Sequence, residues 1–452
     1  MLAMEARQGT RKLGLAVWHC RVALMYAGAY LWRRLLFRTT FIAITGSVGK
    51  TTAKECLAAA LASRHPTAKS IANQNDYSGV PRSVLRVRPW HRFAVLEVAS
   101  SRPGMMQRSA RLVVPDVAIV LAVAKTHVQN FRTLQNTAAE KAALLASLPP
   151  NGVAVLNGDD PLVAAMAAPL KRRVIWFGSS PSFDYWADGA SSRWPERLSL
   201  QVHAGAASER VQTQLVGAHW KNSILAAIAA AHTCGMPLQE AVRAASAVQP
   251  TQGRMQPATL PCGATVIRDD QNGSVDTLQA AFLALAEAQA RRKILVITDV
   301  TDTSRSPRER FHKIGKQAVG IFQSAVFIGH TAHHGVREMI AAGMSPDQAH
   351  AFDSLQQAEE FLRRDLGPDD LVLLRGRATD HVTRLYFALL GTVHCRKAHC
   401  DKTTVCDLCP ELGAVISPQP ALTPFPDKAS PRPRGSTEGD RGAPRPSPAA
   451  RS

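Results

Sequence analysis

The chain has 452 residues, 46% of them hydrophobic, and it carries a formal net charge of +19. This length and apolar content exclude a small disulfide-stabilised scaffold and a disordered chain, and they suffice for two or three globular domains. The charge is compatible with nucleic acid, anionic lipid or polyanionic substrates and selects none of them. Since most of the basic residues are arginine, we interpret the charge as a bias of base composition in the genome.

Residues 1–39 predict a basic amphipathic helix. Their longest uncharged stretch, 22–32, is far shorter than the roughly 20 residues that span a bilayer. They also lack the long apolar run and the cleavage site of a secretory signal, so we place the protein in the cytoplasm. Arginine and aromatic side chains are interspersed here, which leaves two alternatives. The helix lies on the anionic inner face of the membrane, or it packs on the following domain.

Residues 40–252 alternate short apolar runs with longer helical patterns, as buried parallel strands with crossover helices do. Strands are predicted at 41–45, 93–99, 117–123 and 152–157. A stretch rich in serine, glycine and alanine, 178–215, predicts loops and a small peripheral antiparallel sheet. An alanine-rich helix is predicted over 222–234.

After a break at 250–254, residues 253–390 repeat this alternation. Strands are predicted at 264–270, 293–299, 324–329 and 370–376. The predicted fold class is therefore α/β with two Rossmann-like domains, the first of which has a mostly parallel sheet. A cysteine-rich segment, 391–412, follows. The tail 413–452 is rich in Pro, Arg and Ser and predicts disorder, because it cannot bury enough apolar surface to fold.

The sequence FIAITGSVGKTTAKE (41–55) predicts a phosphate-binding loop between a strand and a helix. Backbone N–H groups of such a turn, together with the helix N-terminus, form a concave site for phosphate oxygens. Lys50 is placed to reach the β- and γ-phosphates, and the hydroxyl of Thr51 to ligate Mg²⁺. Ile44 stands where the longer form of this loop has glycine, so the match is to the shorter pattern Thr-Gly-x-x-Gly-Lys-Thr. Residues 40–252 are therefore predicted to form a central P-loop ATP-binding domain. The predicted ATP-binding residues of the loop are Gly46, Ser47, Val48, Gly49, Lys50, Thr51 and Thr52.

This loop resembles that of the Mur ligase family, whose members join a carboxylate to an amine. NQNDYSGVP (73–81) is similar to an Asn-rich segment of the family, and Glu97 to an acidic residue that binds Mg²⁺ at a strand end. His127 stands where the family places a metal-binding histidine. Lys141 resembles the family's carbamylated lysine. The resemblance implies that Thr51, Glu97 and His127 hold Mg²⁺, assisted by a carbamate on Lys141.

The resemblance also predicts the nucleotide contacts outside the loop. LNGDDP (156–161) is similar to an Asn and paired acids of the family, and LVGAHWKN (215–222) to an element near the nucleotide. The spacing there leaves open whether His219 or Asn222 makes the adenine-side contact. Arg254 is expected at phosphate or ribose, and Asp269 at the nucleotide. Residues 271–274 replace the Tyr-Asn-Ala-Asn of the family, which removes an aromatic contact.

The second α/β domain resembles the C-terminal Mur ligase domain. Its Asp299 and HKIG (312–315) resemble an element of the subgroup that attaches D-alanyl-D-alanine to the cell-wall precursor. In LLRG (373–376), Arg375 replaces the lysine of that subgroup. The cell-wall enzymes carry a domain for a uridine-nucleotide sugar before the ATP loop, where this sequence has residues 1–39. We therefore expect the chemistry of the family with an altered recognition of the acceptor.

The segment HCRKAHCDKTTVCDLC (394–409) contains four closely spaced cysteines. Four thiolates at such distances are able to meet one tetrahedral Zn²⁺, and a Cys-x-x-Cys pair has the spacing that such sites use. We predict a structural zinc ion, with an iron–sulfur cluster or redox-active pairs as alternatives. The predicted ligands are Cys395, Cys400, Cys406 and Cys409, with His394 and His399 in reserve.

Together these features predict an ATP-dependent acid–amino acid ligase that forms an amide through an acyl phosphate, in cell-wall or related biosynthesis. Its expected partners are small-molecule or peptide carboxylates and amines. No nucleic acid is expected, because the sequence lacks a nucleic-acid-binding module in which basic and aromatic residues are interleaved. We expect the C-terminal domain to close over the active site, which would require a mobile hinge near 250–256. The alternative is a catalytically weak homologue that acts as a scaffold or regulator at the membrane surface.

Overall fold

Two α/β domains follow one another along the chain, in the order that the apolar runs predict. The computed structural model describes residues 2–71, 74–124, 128–271, 273, 275–300, 306–397, 400, 402 and 404–416.

Within the described residues, the first sheet has nine strands in the order β2-β3-β1-β4-β5-β6-β7-β8-β9. They are β1 (Thr40–Thr45), β2 (Thr67–Lys69), β3 (Phe93–Glu97), β4 (Val117–Val120), β5 (Val153–Asn157), β6 (Arg173–Gly178), β7 (Tyr185–Ser191), β8 (Ser199–Ala204) and β9 (Ala207–Gln212). Strands β2 to β7 are parallel, whereas β8 and β9 are antiparallel to their neighbours. The four strands predicted in 40–157 are present, since each is an apolar run that is buried on both faces of the sheet.

The stretch 178–215 contains the predicted antiparallel strands at the periphery, since β8 pairs antiparallel with both β7 and β9. Strand β7 pairs in parallel with β6, Phe177 lying opposite Tyr185, so β7, β8 and β9 extend the main sheet. Without β7, strand β6 would be an edge strand with unpaired backbone N–H and C=O groups, and pairing with β7 satisfies some of them.

Helices cover both faces of the first sheet. They are α1 (Leu2–Leu35), α2 (Lys50–Ala62), α3 (Gly79–Arg86), α4 (Met105–Val113), α5 (Val128–Phe131), α6 (Leu134–Leu145), α7 (Pro161–Ala165), α8 (Lys221–Thr233) and α9 (Leu238–Ala247). Alternate residues of β1 point to opposite sides. Ile42 and Ile44 join a core with α2, α8 and α9, whereas Phe41 and Ala43 join a core with α1, α3, α4 and α6.

The second sheet has the order β10-β11-β15-β12-β13-β14. Its strands are β10 (Gln256–Thr259), β11 (Thr265–Asp269), β12 (Arg292–Ile297), β13 (Ser324–Ile328), β14 (Ala349–Phe352) and β15 (Asp370–Arg375). All pairs are parallel except β10 with β11. The accompanying helices are α10 (Val275–Ala286), α11 (Pro307–Ala318), α12 (Ala332–Ala341), α13 (Leu355–Asp365) and α14 (Thr383–Leu390). The predicted α/β fold class is confirmed.

The cysteine-rich segment is bracketed by a short antiparallel ribbon of β16 (Gly391–Thr392) and β17 (Val415–Ile416). Strand β17 lies within the tail that the sequence predicts to be disordered, so order continues beyond residue 412. Residues 417–452 of that tail lie outside the described residues. Between the two strands, Asp407 forms a buried bidentate ion pair with Arg268 of β11, at 2.8 and 3.0 Å. This pair fixes the segment to the second sheet.

Helix α1 packs on the first domain, which is one of the two alternatives left open by the sequence. Val22, Tyr26 and Ala29 are buried in the core shared with α3 and α4. Nε of Arg33 donates to the carbonyl oxygen of Val113 at 2.6 Å. In the described part of the chain, no helix has the length and apolar character that crossing a bilayer requires.

Candidate active site

A cavity of about 380 Å³ lies where the first sheet meets the second. Its lining includes residues after β1 and β3, the start of α8, and residues of the segment that leads from the first domain into β11. The carboxyl ends of parallel strands meet at one edge of a sheet, and ligands bind there in open α/β folds. Most of the predicted nucleotide-binding residues line this one cavity.

The predicted phosphate loop runs from the end of β1 to the start of α2. Gly49 caps α2 with φ 81°, a left-handed conformation that favours glycine. A Cβ atom at Gly49 would lie 2.4 Å from the hydroxyl oxygen of Ser223 on α8. Nζ of Lys50 donates to the carbonyl oxygens of Gly46 at 2.8 Å and Ser47 at 3.3 Å. The lysine is therefore folded back over the loop, and its burial lowers its pKa.

Three polar side chains meet beside the loop. The hydroxyl of Thr51 donates to Oε2 of Glu97 at 2.9 Å, and Nδ2 of Asn75 donates to Oε1 at 2.6 Å. Glu97 is buried at the end of β3, and its backbone N–H donates to Oγ of Ser70 at 2.8 Å. These hard oxygen donors fit Mg²⁺. The third predicted ligand, His127, lies outside the described residues.

The role of Asn75 in orienting Glu97 is absent from the sequence prediction. The signal was present in the Asn-rich segment 73–81, but the segment does not reveal which asparagine reaches the acid. Asn73 of that segment lies outside the described residues.

Lys141 projects from α6 into the same cavity and is almost completely buried. Burial, reinforced by the positive charge of Lys50, lowers its pKa to about 7. A substantial fraction of this amine is therefore neutral and nucleophilic at neutral pH.

The paired acids of 156–161 have structural roles. Nδ2 of Asn157 donates to the carbonyl oxygen of Leu121 at 2.7 Å, and the backbone N–H of Val123 donates to Oδ2 of Asp160 at 2.7 Å. Asp160 also caps α7. These bonds hold residues 121–124 beside the phosphate loop, where the backbone N–H of Ala124 donates to Oγ of Ser47 at 2.8 Å.

Both candidates for the adenine-side contact line the cavity. Oδ1 of Asn222 is buried and has no hydrogen-bond partner among the residues that the structure describes. His219 packs against Trp220 at 4.5 Å, and burial, with a smaller effect of Arg375, lowers its pKa to about 4. The histidine is therefore neutral. Asn222 lines a cavity of nucleotide size, and its unpaired oxygen is an acceptor that a hydrogen-bond donor of a bound nucleotide would satisfy.

The second domain contributes Arg254, Asp269 and Arg375 to this region. Arg254 lines the cavity, and its burial lowers its pKa against the opposing effect of Glu97. Asp269 forms a hydrogen-bonded ion pair with Arg375, whose Nη2 also bonds Oγ1 of Thr277 at 2.5 Å. Arg375 is completely buried, and burial lowers its pKa to about 9.

Arg375 was not among the predicted site residues. Its replacement of the family's lysine in 373–376 was the available signal. Of the altered segment 271–274, residues 272 and 274 lie outside the described residues.

A second cavity, of about 680 Å³, opens at the carboxyl edge of the second sheet. Asp299 accepts from Nε of Arg310 at 3.0 Å, and Asp380 accepts from Thr298 at 2.6 Å and from Arg377 at 2.9 Å. Carboxylates and guanidinium groups thus alternate along its wall. His312 of the 312–315 segment instead contacts Glu338 of α12, with Nδ1 2.7 Å from Oε2.

The structure does not support the predicted zinc site or the alternative iron–sulfur cluster. No three His, Cys, Asp or Glu side chains share a metal-binding arrangement anywhere in the described ranges. Cys395, Cys400, Cys406 and Cys409 are free thiols. Sγ of Cys406 is buried in a small apolar cluster 3.5 Å from Nδ1 of His381, and burial raises its pKa to about 12. His399 lies outside the described residues.

The comparisons with known proteins agree with this geometry. Residues 44–231 match the Mur ligase middle domain, and residues 253–378 match the Mur ligase, glutamate ligase domain. The chain is 31% identical over 356 residues to the UDP-N-acetylmuramoyl-tripeptide--D-alanyl-D-alanine ligase of Mycobacterium tuberculosis (strain CDC 1551 / Oshkosh), covering 74% of this chain and 70% of that protein. The chain belongs to the Mur ligase family.

Other members of the family are similar over comparable lengths. The Escherichia coli (strain K12) ligase of the same name is 29% identical over 292 residues, which is 64% of each chain. A crystal structure of MurF from Acinetobacter baumannii superposes with a TM-score of 0.75 at 24% identity, covering 81% of this chain and 80% of that one. MurF ligase from Thermotoga maritima in complex with ADP gives 0.71 at 21% identity, covering 81% and 83%.

Membership of this family confirms the predicted activity, an ATP-dependent ligase that forms carbon–nitrogen bonds in peptidoglycan biosynthesis. Mur ligases use ATP and Mg²⁺, as the phosphate loop and the oxygen donors beside it predict.

Proposed function

We propose that this Mur ligase joins the carboxylate of a peptidoglycan-precursor peptide to the amine of a D-alanyl-D-alanine dipeptide, in the cytoplasm, where ATP is available. The relatives named above are ligases of this kind. One observation carries the proposal. Lys50, Thr51 and Glu97 of the first domain and Arg254 and Asp269 of the second line one cavity, so both domains face the same nucleotide-sized space.

The first step is phosphoryl transfer. A carboxylate oxygen of the precursor attacks the γ-phosphorus, the bond from that phosphorus to the bridging oxygen breaks, and ADP leaves with the electron pair. Lys50 and the backbone N–H groups of the loop stabilise the negative charge of the transferring phosphoryl group. Arg254 adds a second positive charge to the lining of the cavity. The product is an acyl phosphate.

Thr51 and Glu97 are the described residues that would hold Mg²⁺, which supplies neutralisation of phosphate charge when bound. Asn75 orients the carboxylate of Glu97 for this role, and Ser70 holds the backbone of Glu97, through the hydrogen bonds described above. His127 is proposed as a further ligand from its place in the sequence.

Lys141 is proposed to carry a carbamate. Its neutral amine attacks CO₂, an N–C bond forms, and one amine proton is released to solvent. The resulting carboxylate would replace a buried neutral amine by a negative charge beside the positive charge of Lys50. Nuclear magnetic resonance with ¹³C-labelled bicarbonate tests this modification. A carbamate carbon signal is expected for the natural chain and not for Lys141→Ala, and equal spectra would exclude it.

The second step is amide formation. The neutral amine attacks the carbonyl carbon of the acyl phosphate, loses a proton, and the tetrahedral intermediate expels phosphate. We place the dipeptide toward the second cavity, because Asp299 and Asp380 suit its ammonium group and Arg377 suits its carboxylate. Closure about the segment 250–256 would exclude water from the acyl phosphate.

Amine-dependent release of phosphate from ATP tests the proposal. The precursor peptide and a panel of amino acids and dipeptides are supplied, and D-alanyl-D-alanine is expected to give the fastest release. Lys50→Ala should lower the rate by about 10²-fold or more. The matched control is Lys171→Ala, at an exposed lysine remote from the cavity lining, which should leave the rate unchanged.

Two other results are informative. Fast release with a different amine would overturn the assignment of the dipeptide and keep the ligase. Nucleotide binding without release of phosphate, under any combination of acid and amine, would favour the alternative of a catalytically weak scaffold.

A further inference from the structure

We propose that the outward side of α1 and the adjoining loop 86–92 form a docking surface for an anionic lipid membrane. The proposal is independent of which amine the enzyme uses. The outward side is defined here by Leu24, Ala27, Leu31 and Leu35, which we call the outer face of α1. Their spacing of three, four and four residues places them on one side of the helix.

The outer face is apolar and exposed. Leu24 is 74% exposed, Leu31 67% and Leu35 66%, and Phe37, just after the helix, is 80% exposed. The opposite side of α1 is already occupied, because Val22, Tyr26 and Ala29 are buried against α3 and α4. The helix is therefore held in place by one side and presents large apolar side chains on the other. Contiguous exposed apolar side chains of this size indicate an interaction surface.

Arginines border this face. Arg21, Arg34 and Arg38 are exposed, and the guanidinium of Arg34 lies 3.5 Å from the ring centroid of Tyr30. Across the whole of 1–39 there are seven basic residues and one acidic residue, Glu5. Arg33, whose side chain is largely buried, forms an ion pair with Asp116 at 3.9 Å on the packed side of the helix.

The loop 86–92 adds to the same end of the helix. Nε1 of Trp32 donates to the carbonyl oxygen of Val87 at 2.9 Å, and Oγ1 of Thr39 donates to that of His91 at 2.8 Å. These bonds join the loop to α1. Between them Trp90 is 68% exposed, and its neighbour Arg88 is exposed too. An exposed indole among arginines is suited to the polar–apolar boundary of a bilayer.

The positive charge around the outer face of α1 favours one kind of partner. An apolar helical face bordered by arginine is attracted to anionic headgroups and inserts its leucines below them. A second copy of the chain on this face would bring two segments of like charge together around a twofold axis, which opposes dimerisation. We therefore commit to anionic lipid, whose headgroups complement the arginines while its acyl chains receive Leu24, Leu31 and Phe37.

Vesicle co-sedimentation of the full chain tests this proposal. Vesicles of phosphatidylcholine alone are compared with vesicles that also contain phosphatidylglycerol, at low and high salt. Binding to the anionic vesicles is expected, with weakening by salt. The double variant L24E/L31E should weaken that binding by about tenfold or more, since each exposed leucine loses its burial in the bilayer. The matched control is Leu283→Glu, at a leucine of α10 that is 59% exposed and lies outside this surface.

Each other outcome decides as well. Absence of binding by the natural chain, or equal binding by the natural chain and L24E/L31E, overturns the proposal. If that variant fails to fold, the variant R21Q/R34Q/R38Q replaces it, and unchanged affinity and salt dependence would overturn the proposal. Sedimentation velocity without lipid covers the competing occupant. A dimer that L24E/L31E converts to a monomer, with no vesicle binding, assigns the face to a second copy.

Discussion

Replacing Gly49 by alanine probes how tightly the phosphate loop is packed against α8. The structure supplies a matched control in Gly104. Gly49 caps α2 with φ 81° and ψ −9°, and Gly104 caps α4 with φ 82° and ψ −9°. The two backbones are therefore equally unfavourable for alanine. Among the described residues, a Cβ atom at Gly104 meets nothing within 4 Å, whereas one at Gly49 lies 2.4 Å from Oγ of Ser223.

The magnitudes follow from this difference. Left-handed backbone conformation costs alanine about 1–2 kcal/mol, and this applies to both variants. At Gly49 the hydroxyl of Ser223 must rotate away or the loop must move, which adds about 1–2 kcal/mol of overpacking. Gly49→Ala is therefore expected to lower the free energy of unfolding by about 2–4 kcal/mol, and Gly104→Ala by about 1–2 kcal/mol.

Denaturant unfolding and nucleotide titration measure both variants. Gly49→Ala should also weaken nucleotide binding by about tenfold or more, because the loop shifts from its position on α8. Gly104→Ala should leave nucleotide affinity unchanged, since Gly104 is not in the cavity lining.

A double-mutant cycle isolates the contact. Ser223→Ala leaves only its Cβ atom, which is 3.7 Å from the added methyl group and in ordinary contact. It should restore about 1 kcal/mol to Gly49→Ala. Equal losses for the two glycine variants, with no recovery from Ser223→Ala, would refute the packing argument.

Three further predictions concern other parts of the molecule. Asn222→Ala removes a buried oxygen that is without a partner in the described residues. Calorimetric titration should show the Kd for ADP rising about fivefold to tenfold, and the free energy of unfolding should be unaffected. An unchanged Kd would exclude Asn222 from the nucleotide site. Arg268→Met breaks the buried ion pairs with Asp270 and Asp407 and should lower the free energy of unfolding by about 3–5 kcal/mol. Lys397→Met, at an exposed ion pair, should leave the free energy of unfolding unchanged in the same denaturant assay. The pKa of Lys141 is about 7 in the folded protein against 10.5 ordinarily, so the unfolded chain binds more protons between these values and stability should rise with pH across that window. We therefore expect Lys141→Met to be more stable than the natural chain, and the difference in free energy of unfolding to be largest at or below pH 7 and to shrink toward pH 10.5. Unfolding is followed in bicarbonate-free buffer. A difference that stays constant with pH would contradict the lowered pKa of Lys141.

The residues of the phosphate loop and the strands that precede each candidate site were predictable from the sequence. The apolar run 41–45, the glycines and Lys50 are consecutive, so their geometry depends on local backbone preferences and on the periodicity of burial. The parallel strands β11, β12, β13 and β15 were predictable for the same reason, whereas β14, which is only partly buried, was not predicted. Their central positions are apolar on both faces, and few other structures bury such runs.

Interactions between distant residues depended on the tertiary structure. Asp269 and Arg375 are 106 positions apart, and they meet because β11 and β15 are neighbours in the second sheet. The docking of the cysteine segment through Asp407 spans 139 positions. Cysteine spacing alone predicted a zinc site, but the thiol of Cys406 instead lies in an apolar cluster beside His381.

The sequence by itself thus determined the chemistry of the phosphate loop, the α/β class and the arginine-rich character of α1. Only the tertiary structure decided which side of α1 is buried and which carboxylates are neutralised by arginine. It alone also decided that Oδ1 of Asn222 is buried without a hydrogen-bond partner among the described residues. The physical reason is that a local pattern fixes the conformation of adjacent residues. The pairing of a buried charge, by contrast, depends on every element that packs around it.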